Sequence, residues 1–238
     1  MITHGLVLTA GLGTRLRPLT LVRAKPAVPI AGVPIVRRII AWLAREGVTD
    51  LVLNLHHLPE TIAAVVGDGS DLGVRVRYSW EPVVLGSAGG PRHALPIIGS
   101  PRFFIINGDT LTDLALAPLA GAHASTGAMV TMALVPNREP GRYGGVQMTA
   151  DGRVTGFVGR GVEAAGSYHF IGVQVAEAEA FAGLKDGEAV NSTRGVYDRL
   201  IASKNGSIRG YVCDAAFWDI GTPEDYAATD AAFSRTSA

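Results

Sequence analysis

The period of the hydrophobic positions changes along the chain. Residues 5–9 (Gly-Leu-Val-Leu-Thr), 51–55 (Leu-Val-Leu-Asn-Leu) and 103–106 (Phe-Phe-Ile-Ile) are continuous apolar runs of strand length. Runs of that kind are buried on both faces. Between them the period is helical. Ile39, Ile40 and Leu43 share one face of a segment from Ile35 to Glu46 that Gly47 stops, and Pro59 opens a short helix to about Val66. Residues 74–79 alternate apolar and charged, which predicts a half-exposed strand. A Gly-rich turn at 86–90 leads into a helix ending near Ile98. Strands alternating with helices predict a parallel sheet covered on both faces. After residue 128 the pattern shortens. Residues 129–135, 144–149, 153–158 and 168–175 read as strands joined by short turns, with Asp151-Gly152 as a hairpin signal. Helices return at about 192–203 and 223–234. The second is announced by Thr222-Pro223-Glu224-Asp225, a cap, a Pro at the first position and acids in the first turn. No repeat, low-complexity tract or linker interrupts 1–238. One α/β domain with an antiparallel extension is expected.

Composition narrows the class. Apolar residues make up 47% and charged residues 18%, below the ~25% charged of an average soluble domain. The chain therefore has ample core. The net charge is zero, from 21 basic and 21 acidic residues. That balance argues against a nucleic-acid or polybasic membrane binder. Cys213 is the one cysteine, so neither a disulfide framework nor a cysteine zinc site is available. No apolar run reaches membrane length and the N-terminus lacks a signal-peptide pattern. A cytoplasmic protein, monomer or homodimer, is expected. Eighteen of the basic residues are Arg and three are Lys, which makes Lys25, set in a Gly/Pro-rich loop, conspicuous.

Three segments lie where predicted strands end, at 10–26, 86–90 and 107–110. Ligands of parallel sheets bind beyond the carboxyl ends of the strands. In Ala10-Gly11-Leu12-Gly13-Thr14-Arg15 the close glycines can turn N–H groups toward an anion and Arg15 adds a cationic fork. The same residues also suit a tight strand–helix turn with surface arginines. The segment is not a dinucleotide fingerprint, since Leu16 stands where the third glycine belongs, and no Gly-Lys-Ser/Thr follows as in a P-loop. Gly86 to Gly90 suits either a flat ligand against the backbone or a helix start capped by Ser87. Asp109 reads as a metal ligand or a turn residue, and Asp219 as a ligand, a cap or half of an ion pair.

The run Leu8-Thr9-Ala10-Gly11-Leu12-Gly13-Thr14-Arg15-Leu16-Arg17-Pro18-Leu19-Thr20, followed by Ala24-Lys25-Pro26, resembles the signature of sugar-1-phosphate nucleotidyltransferases. Gly86-Ser87-Ala88-Gly89-Gly90 is similar to that family's base-binding turn. Asn107-Gly108-Asp109 is similar to its metal-binding strand end. Phe217-Trp218-Asp219-Ile220-Gly221-Thr222-Pro223-Glu224-Asp225-Tyr226 resembles the second metal motif of the mannose-1-phosphate guanylyltransferase-like branch. The resemblance implies a Rossmann-like three-layer sandwich with a mixed, mostly parallel central sheet. It implies a nucleotide-binding half over about 1–110 and a sugar-binding half over about 111–238. In the reaction a sugar 1-phosphate oxygen attacks the α-phosphorus of a nucleoside triphosphate and pyrophosphate leaves. Two polyanions must meet, so catalysis is mostly positioning and electrostatics.

By the same resemblance, Ala10, Gly11, Gly13, Thr14, Gly86, Ser87, Ala88 and Gly108 contact the nucleotide. Arg15 stabilises the departing pyrophosphate, and Lys25 bridges the α-phosphate and the sugar phosphate as a compact charge. Asp109 and Asp219 hold Mg²⁺, which prefers hard oxygens and takes the rest of its ligands from phosphate and water. Tyr143, Gly144, Gly145 and Glu163 face the sugar. Where many members carry Glu-Lys-Pro, this chain has Gly159-Arg160-Gly161. Arg160 then either replaces the Lys on the sugar phosphate or the contact is lost. The chain resembles the short stand-alone members, without room for a β-helix tail. Pyrimidine-using relatives often carry Gln before the base-binding turn, where this chain has Glu81-Pro82-Val83-Val84-Leu85. The runs Leu85-Gly86-Ser87-Ala88-Gly89-Gly90 and Trp218-Asp219-Ile220-Gly221-Thr222-Pro223-Glu224-Asp225-Tyr226 are similar to those of guanylyltransferases, and this favours GTP with a mannose or heptose 1-phosphate. A uridylyltransferase for an amino-sugar 1-phosphate such as N-acetylmuramate 1-phosphate is the alternative. From another class comes a catalytically silent nucleotide-sugar sensor, against which Arg15, Lys25, Asp109 and Asp219 together speak. A nicotinamide oxidoreductase fails on the missing third glycine.

Overall fold

The computed structural model describes residues 1–203 and 206–236. Strand β1 (His4–Leu8) opens the chain, and the long loop after it folds into three short 3₁₀ turns. A small hairpin follows, β2 (Pro29–Ile30) with β3 (Val33–Pro34), and then α1 (Ile35–Arg45), β4 (Asp50–Leu55), α2 (Pro59–Val66), β5 (Arg75–Trp80), α3 (Gly86–Ile98) and β6 (Arg102–Asn107). The second half comprises β7 (Thr110–Thr112), α4 (Leu116–Thr126), β8 (Val130–Pro136), β9 (Gly145–Met148), β10 (Val154–Val158), β11 (Tyr168–Glu177) and α5 (Glu179–Ala182). A π-helical turn at Ser192–Tyr197 runs into α6 (Asp198–Ser203). Then come β12 (Ile208–Val212), β13 (Phe217–Asp219) and α7 (Pro223–Thr236).

Nine strands form one mixed sheet. β5, β4, β1 and β6 lie parallel, as the continuous apolar runs require. β11 joins β6 antiparallel and carries the sheet onward to β8 and β12 and, through Tyr168, to the β9–β10 hairpin. The predicted antiparallel extension is this second set. Successive residues of each central strand feed opposite cores. Val7, Phe104 and Ile106 pack with α1, α2 and α4, while Leu6, Phe103 and Ile105 pack with α3, α5 and the π-helical turn. Each such fully buried side chain contributes ~1.5–3 kcal/mol.

Several elements depart from expectation. Helix α3 begins at Gly86, so the glycines form its first turn rather than a turn before it. Helix α4 has no amphipathic signature because Pro118 and Gly121 interrupt its sequence. The ribbon of β7 with β13 is too short for a periodicity to show. Helix 192–203 starts as a π-turn, a local bulge common at functional sites. Cys213 lies just past β12 and is half-buried, its Sγ against the Leu134 carbonyl. No helix among the described residues is long and apolar enough to cross a membrane.

Candidate active site

The carboxyl ends of β1, β4, β5 and β6 open onto a cavity of about 370 Å³. Its wall is built from Leu8 to Gly11, Gly13 to Arg15, Lys25, Pro26, Asn54, Glu81, Val84, Gly86, Ser87, Asn107 to Asp109 and Gly221. Segments from Leu8 to Gly221 meet there, since a parallel sheet aligns the ends of its strands.

The loop after β1 turns at Gly13, whose φ of +62° suits glycine. A Cβ there would stand 2.9 Å from Thr20 Cγ2 and 3.2 Å from Lys25 Cβ. Lys25 is 8% exposed, and its ammonium sits 2.7 Å from Asp109 Oδ2. Arg15 is exposed, with its guanidinium against Gly221, where a Cβ would lie 3.1 Å from Nη1. Among the described residues Arg15 has no ion-pair partner, leaving its fork free for an anion.

Asp109 stands in the turn between β6 and β7. Asp219 ends β13, opposite Thr110, and the Ile220 N–H donates to the Asp109 carbonyl at 3.0 Å. Burial and then the Asp109 charge push the Asp219 carboxyl up, while Lys25 and Arg15 oppose them. Two crowded carboxylates form a donor set that a hard dication would relieve. Two carboxylates suit Mg²⁺, which needs few protein carboxylates and draws on phosphate and water.

At the opposite end of the cavity lies a buried polar chain that the sequence reading did not assign to the site. Asn54 is the single polar residue in the apolar run Leu51–Leu55 of β4. Its Oδ1 accepts from Thr9 N at 2.7 Å, and its Nδ2 donates to Glu81 Oε1 at 2.6 Å. The other Glu81 oxygen accepts from Leu85 N at 2.9 Å, and the residue has no exposed surface. A lone amide inside an apolar strand was the signal for it.

The first turn of α3 also receives a strap from the second half of the chain. The N–H groups of Ala88 and Gly89 both donate to the Val190 carbonyl, at 2.9 and 3.1 Å. A Cβ on Gly89 would fall 2.2 Å from Glu188 O. The strap at 188–190 therefore occupies these N–H groups, and Ala88 lies fully buried behind the cavity wall. Ser87 does not cap its own helix. Its hydroxyl pairs with Ser192 Oγ at 3.0 Å and accepts from Ser192 N.

The candidate sugar residues lie outside the cavity wall. Tyr143 stacks on His169, with ring centroids 4.1 Å apart, and meets Phe217 edge-on. Its phenol is pushed up to about 12, mainly by burial. Burial likewise holds the His169 imidazole down to about 4, so the ring is neutral at pH 7. Gly144 and Gly145 pack on the end of β10 and on Ser167, and Arg160 and Glu163 are exposed. Arg142 ties this corner to the first turn of α7 through Asp225 at 2.6 Å.

Arg15, the Lys25–Asp109 pair and Asp219 thus gather two cations and two carboxylates at one end of a strand-end cavity, beside a glycine turn. The chain belongs to the nucleotidyl transferase family, whose profile matches residues 4–235. It is 35% identical over 95% of its length to a mannose-1-phosphate guanylyltransferase of Mycobacterium tuberculosis and spans 64% of that relative. It is 32% identical to the D-glycero-alpha-D-manno-heptose 1-phosphate guanylyltransferase of Aneurinibacillus thermoaerophilus, covering 94% of this chain and 95% of the other. The crystal structure of HddC from Yersinia pseudotuberculosis complexed with GMP-PN shares the fold. Its TM-score is 0.84 at 24% identity, over 98% of this chain and 100% of that one.

Proposed function

We propose that the protein transfers a guanylyl group from GTP to a sugar 1-phosphate, of mannose or a heptose, and releases pyrophosphate. The observation that carries the choice of base is the buried Glu81 carboxylate on the cavity wall. Each of its oxygens accepts one protein hydrogen bond and keeps a second lone pair. Guanine offers adjacent N1–H and N2–H₂ donors on its pairing edge, whereas uracil and thymine offer one donor between two acceptors. A carboxylate acceptor matches guanine; Glu81 has no exposed surface in this structure, so this reading has the cavity wall part to uncover it as the base binds. The named relatives of mannose and heptose point the same way.

In this reading Ala10, Gly11, Gly13, Thr14 and Gly108 border the triphosphate, with Gly86 and Ser87 beside the base. Arg15 stabilises charge on the departing pyrophosphate. Lys25 leaves Asp109 to contact the α-phosphate and the sugar phosphate, bringing nucleophile and electrophile together. The sugar phosphate oxygen forms the new bond to the α-phosphorus, and the α–β bridging oxygen leaves with its electron pair. Asp109 and Asp219 would hold Mg²⁺, which supplies charge neutralisation of the triphosphate. The corner of Tyr143, Gly144, Gly145, Arg160 and Glu163 takes the sugar. Pyrophosphate release with Mg²⁺, crossing GTP, UTP, dTTP, CTP and ATP against a panel of sugar 1-phosphates, tests the proposal. Release that needs GTP and a manno-configured phosphate together supports it. A UTP requirement overturns the base, and silence from protein that still binds nucleotide sugars favours a sensor.

A further inference from the structure

The loop that carries Arg15 and leads into Lys25 has few anchors. From Gly11 to Arg23 only Leu16 and Thr20 are buried. Inside it, Leu16 N donates to Gly13 O and Leu21 N to Pro18 O, both at 3.0 Å, and Thr20 Oγ1 donates to Gly13 O at 2.8 Å. Among the described residues, apart from the neighbouring Ala27 N–H that donates to Ala24 O at 2.9 Å, two hydrogen bonds reach Gly11–Ala24 from elsewhere in the chain, one from the turn between β4 and α2 and one from the first turn of α2. His57 Nε2 donates to Thr20 O at 2.9 Å, and Thr61 Oγ1 accepts from Ala24 N at 2.9 Å.

These two contacts fall at decisive places. Thr20 holds Gly13 by its hydroxyl and supports it from below with its methyl group. Ala24 immediately precedes Lys25. Between the two anchors lies Leu58, in a left-handed conformation with φ +46°. A bulky residue there costs about 1 kcal/mol or more. The Leu58 carbonyl accepts from both Thr61 N at 3.0 Å and Thr61 Oγ1 at 2.6 Å, which ties the strained residue to the second anchor. Strain of this sort persists where the surroundings over-determine it, at sites where geometry matters.

We infer that the turn from His57 to Thr61 is a positioning device for the phosphate loop, with His57 and Thr61 as positioning residues that set Arg15 and Lys25 against the triphosphate. The inference rests on the proposed roles of Arg15 and Lys25. Neither positioning residue lines the cavity, so each acts through the loop and not on substrate.

The test combines hydrogen exchange of the free protein, followed by mass spectrometry, with pyrophosphate-release kinetics for His57→Ala, His57→Gln and Thr61→Val. Loss of one hydrogen bond is expected to speed exchange of the amides in 12–24 about tenfold. It should lower kcat/KM for the triphosphate by a similar factor, with exchange elsewhere and the melting midpoint unchanged. His57→Gln, whose amide nitrogen can take the place of Nε2, should restore both. Unchanged exchange in the loop for both His57→Ala and Thr61→Val would overturn the inference, as would faster exchange with unaltered kcat/KM. Activity that falls only with a global loss of protection would also overturn it. If the wild type releases no pyrophosphate with any substrate pair, the proposed function fails while the exchange data still decide whether the turn anchors the loop.

Discussion

Replacing Glu81 by Gln changes one oxygen to an NH₂ group and leaves shape and volume nearly intact. Both oxygens already accept, one from Asn54 Nδ2 and one from Leu85 N. Asn54 cannot flip to offer its own oxygen, because that oxygen holds Thr9 N. Whichever way the new amide turns, a donor meets a donor in a place with no exposed surface. An unsatisfied buried donor costs about 1–3 kcal/mol. In a chain of this size each kcal/mol lowers the melting midpoint by ~2–4 °C. The effect on guanine is separate. Its two donors lose a charged acceptor worth about 1.5–3 kcal/mol, which lowers kcat/KM for GTP by one to two powers of ten. UTP, with its single donor and two acceptors, should lose little or gain. The assay is competitive pyrophosphate release from GTP and UTP with one sugar phosphate, alongside a melting curve. An unchanged GTP-to-UTP ratio in a folded variant would refute the base assignment, whatever the midpoint does.

Other perturbations probe the remaining parts of the site. Asp219→Asn should abolish most turnover, by about two powers of ten or more, yet leave the melting midpoint unchanged or raised. Burial and the Asp109 charge disfavour the carboxylate in the folded state, so an amide relieves that cost; a lowered midpoint with retained activity would contradict it. Lys25→Arg should cut kcat ~100-fold and cost about 1–3 kcal/mol from overpacking, because the 8%-exposed ammonium already fills its place beside Asp109; a mild effect by initial-rate assay would put Lys25 outside the site. Stability should also fall as pH drops from about 6.5 to 4. The His169 ring is held at about 4 when folded and titrates near 6.5 unfolded, so the unfolded state takes up the proton first. The contribution is complete above the unfolded value and loses about 3 kcal/mol as pH approaches the folded one. Urea midpoints across this range should be steeper for the wild type than for His169→Phe, and equal slopes would dismiss the burial effect.

The central fold was legible because its signal is local. A strand buried on both faces must be apolar at every position, so Phe103 to Ile106 announced a parallel strand without any partner being known. The loop glycines, Arg15, Lys25, Asp109 and Asp219 were singled out through the family resemblance; the residues by themselves left turn, cap and ion-pair readings open for the two aspartates. The structure brings Gly11, Gly13, Arg15, Lys25 and Asp109 onto one cavity wall. Helix α4 and the β7–β13 ribbon were not legible, since each is defined by what it packs on rather than by a period of its own.

What the chain alone determined was therefore the alternation of strand and helix and the inventory of charged groups at the strand ends. The tertiary structure decided how those groups are used. The Lys25–Asp109 pair joins residues 84 apart, and the Asn54–Glu81 chain spans three strands that meet only in the sheet. The α3 glycines answer to the strap at 188–190, which approaches Gly89 too closely for a side chain. His57, in sequence an ordinary turn residue, reaches the loop after β1 only because folding brings the Thr20 carbonyl within 2.9 Å. Hydrogen bonds and ion pairs are short-ranged, and nothing in the spacing of residues along the chain states which distant groups will come within that range.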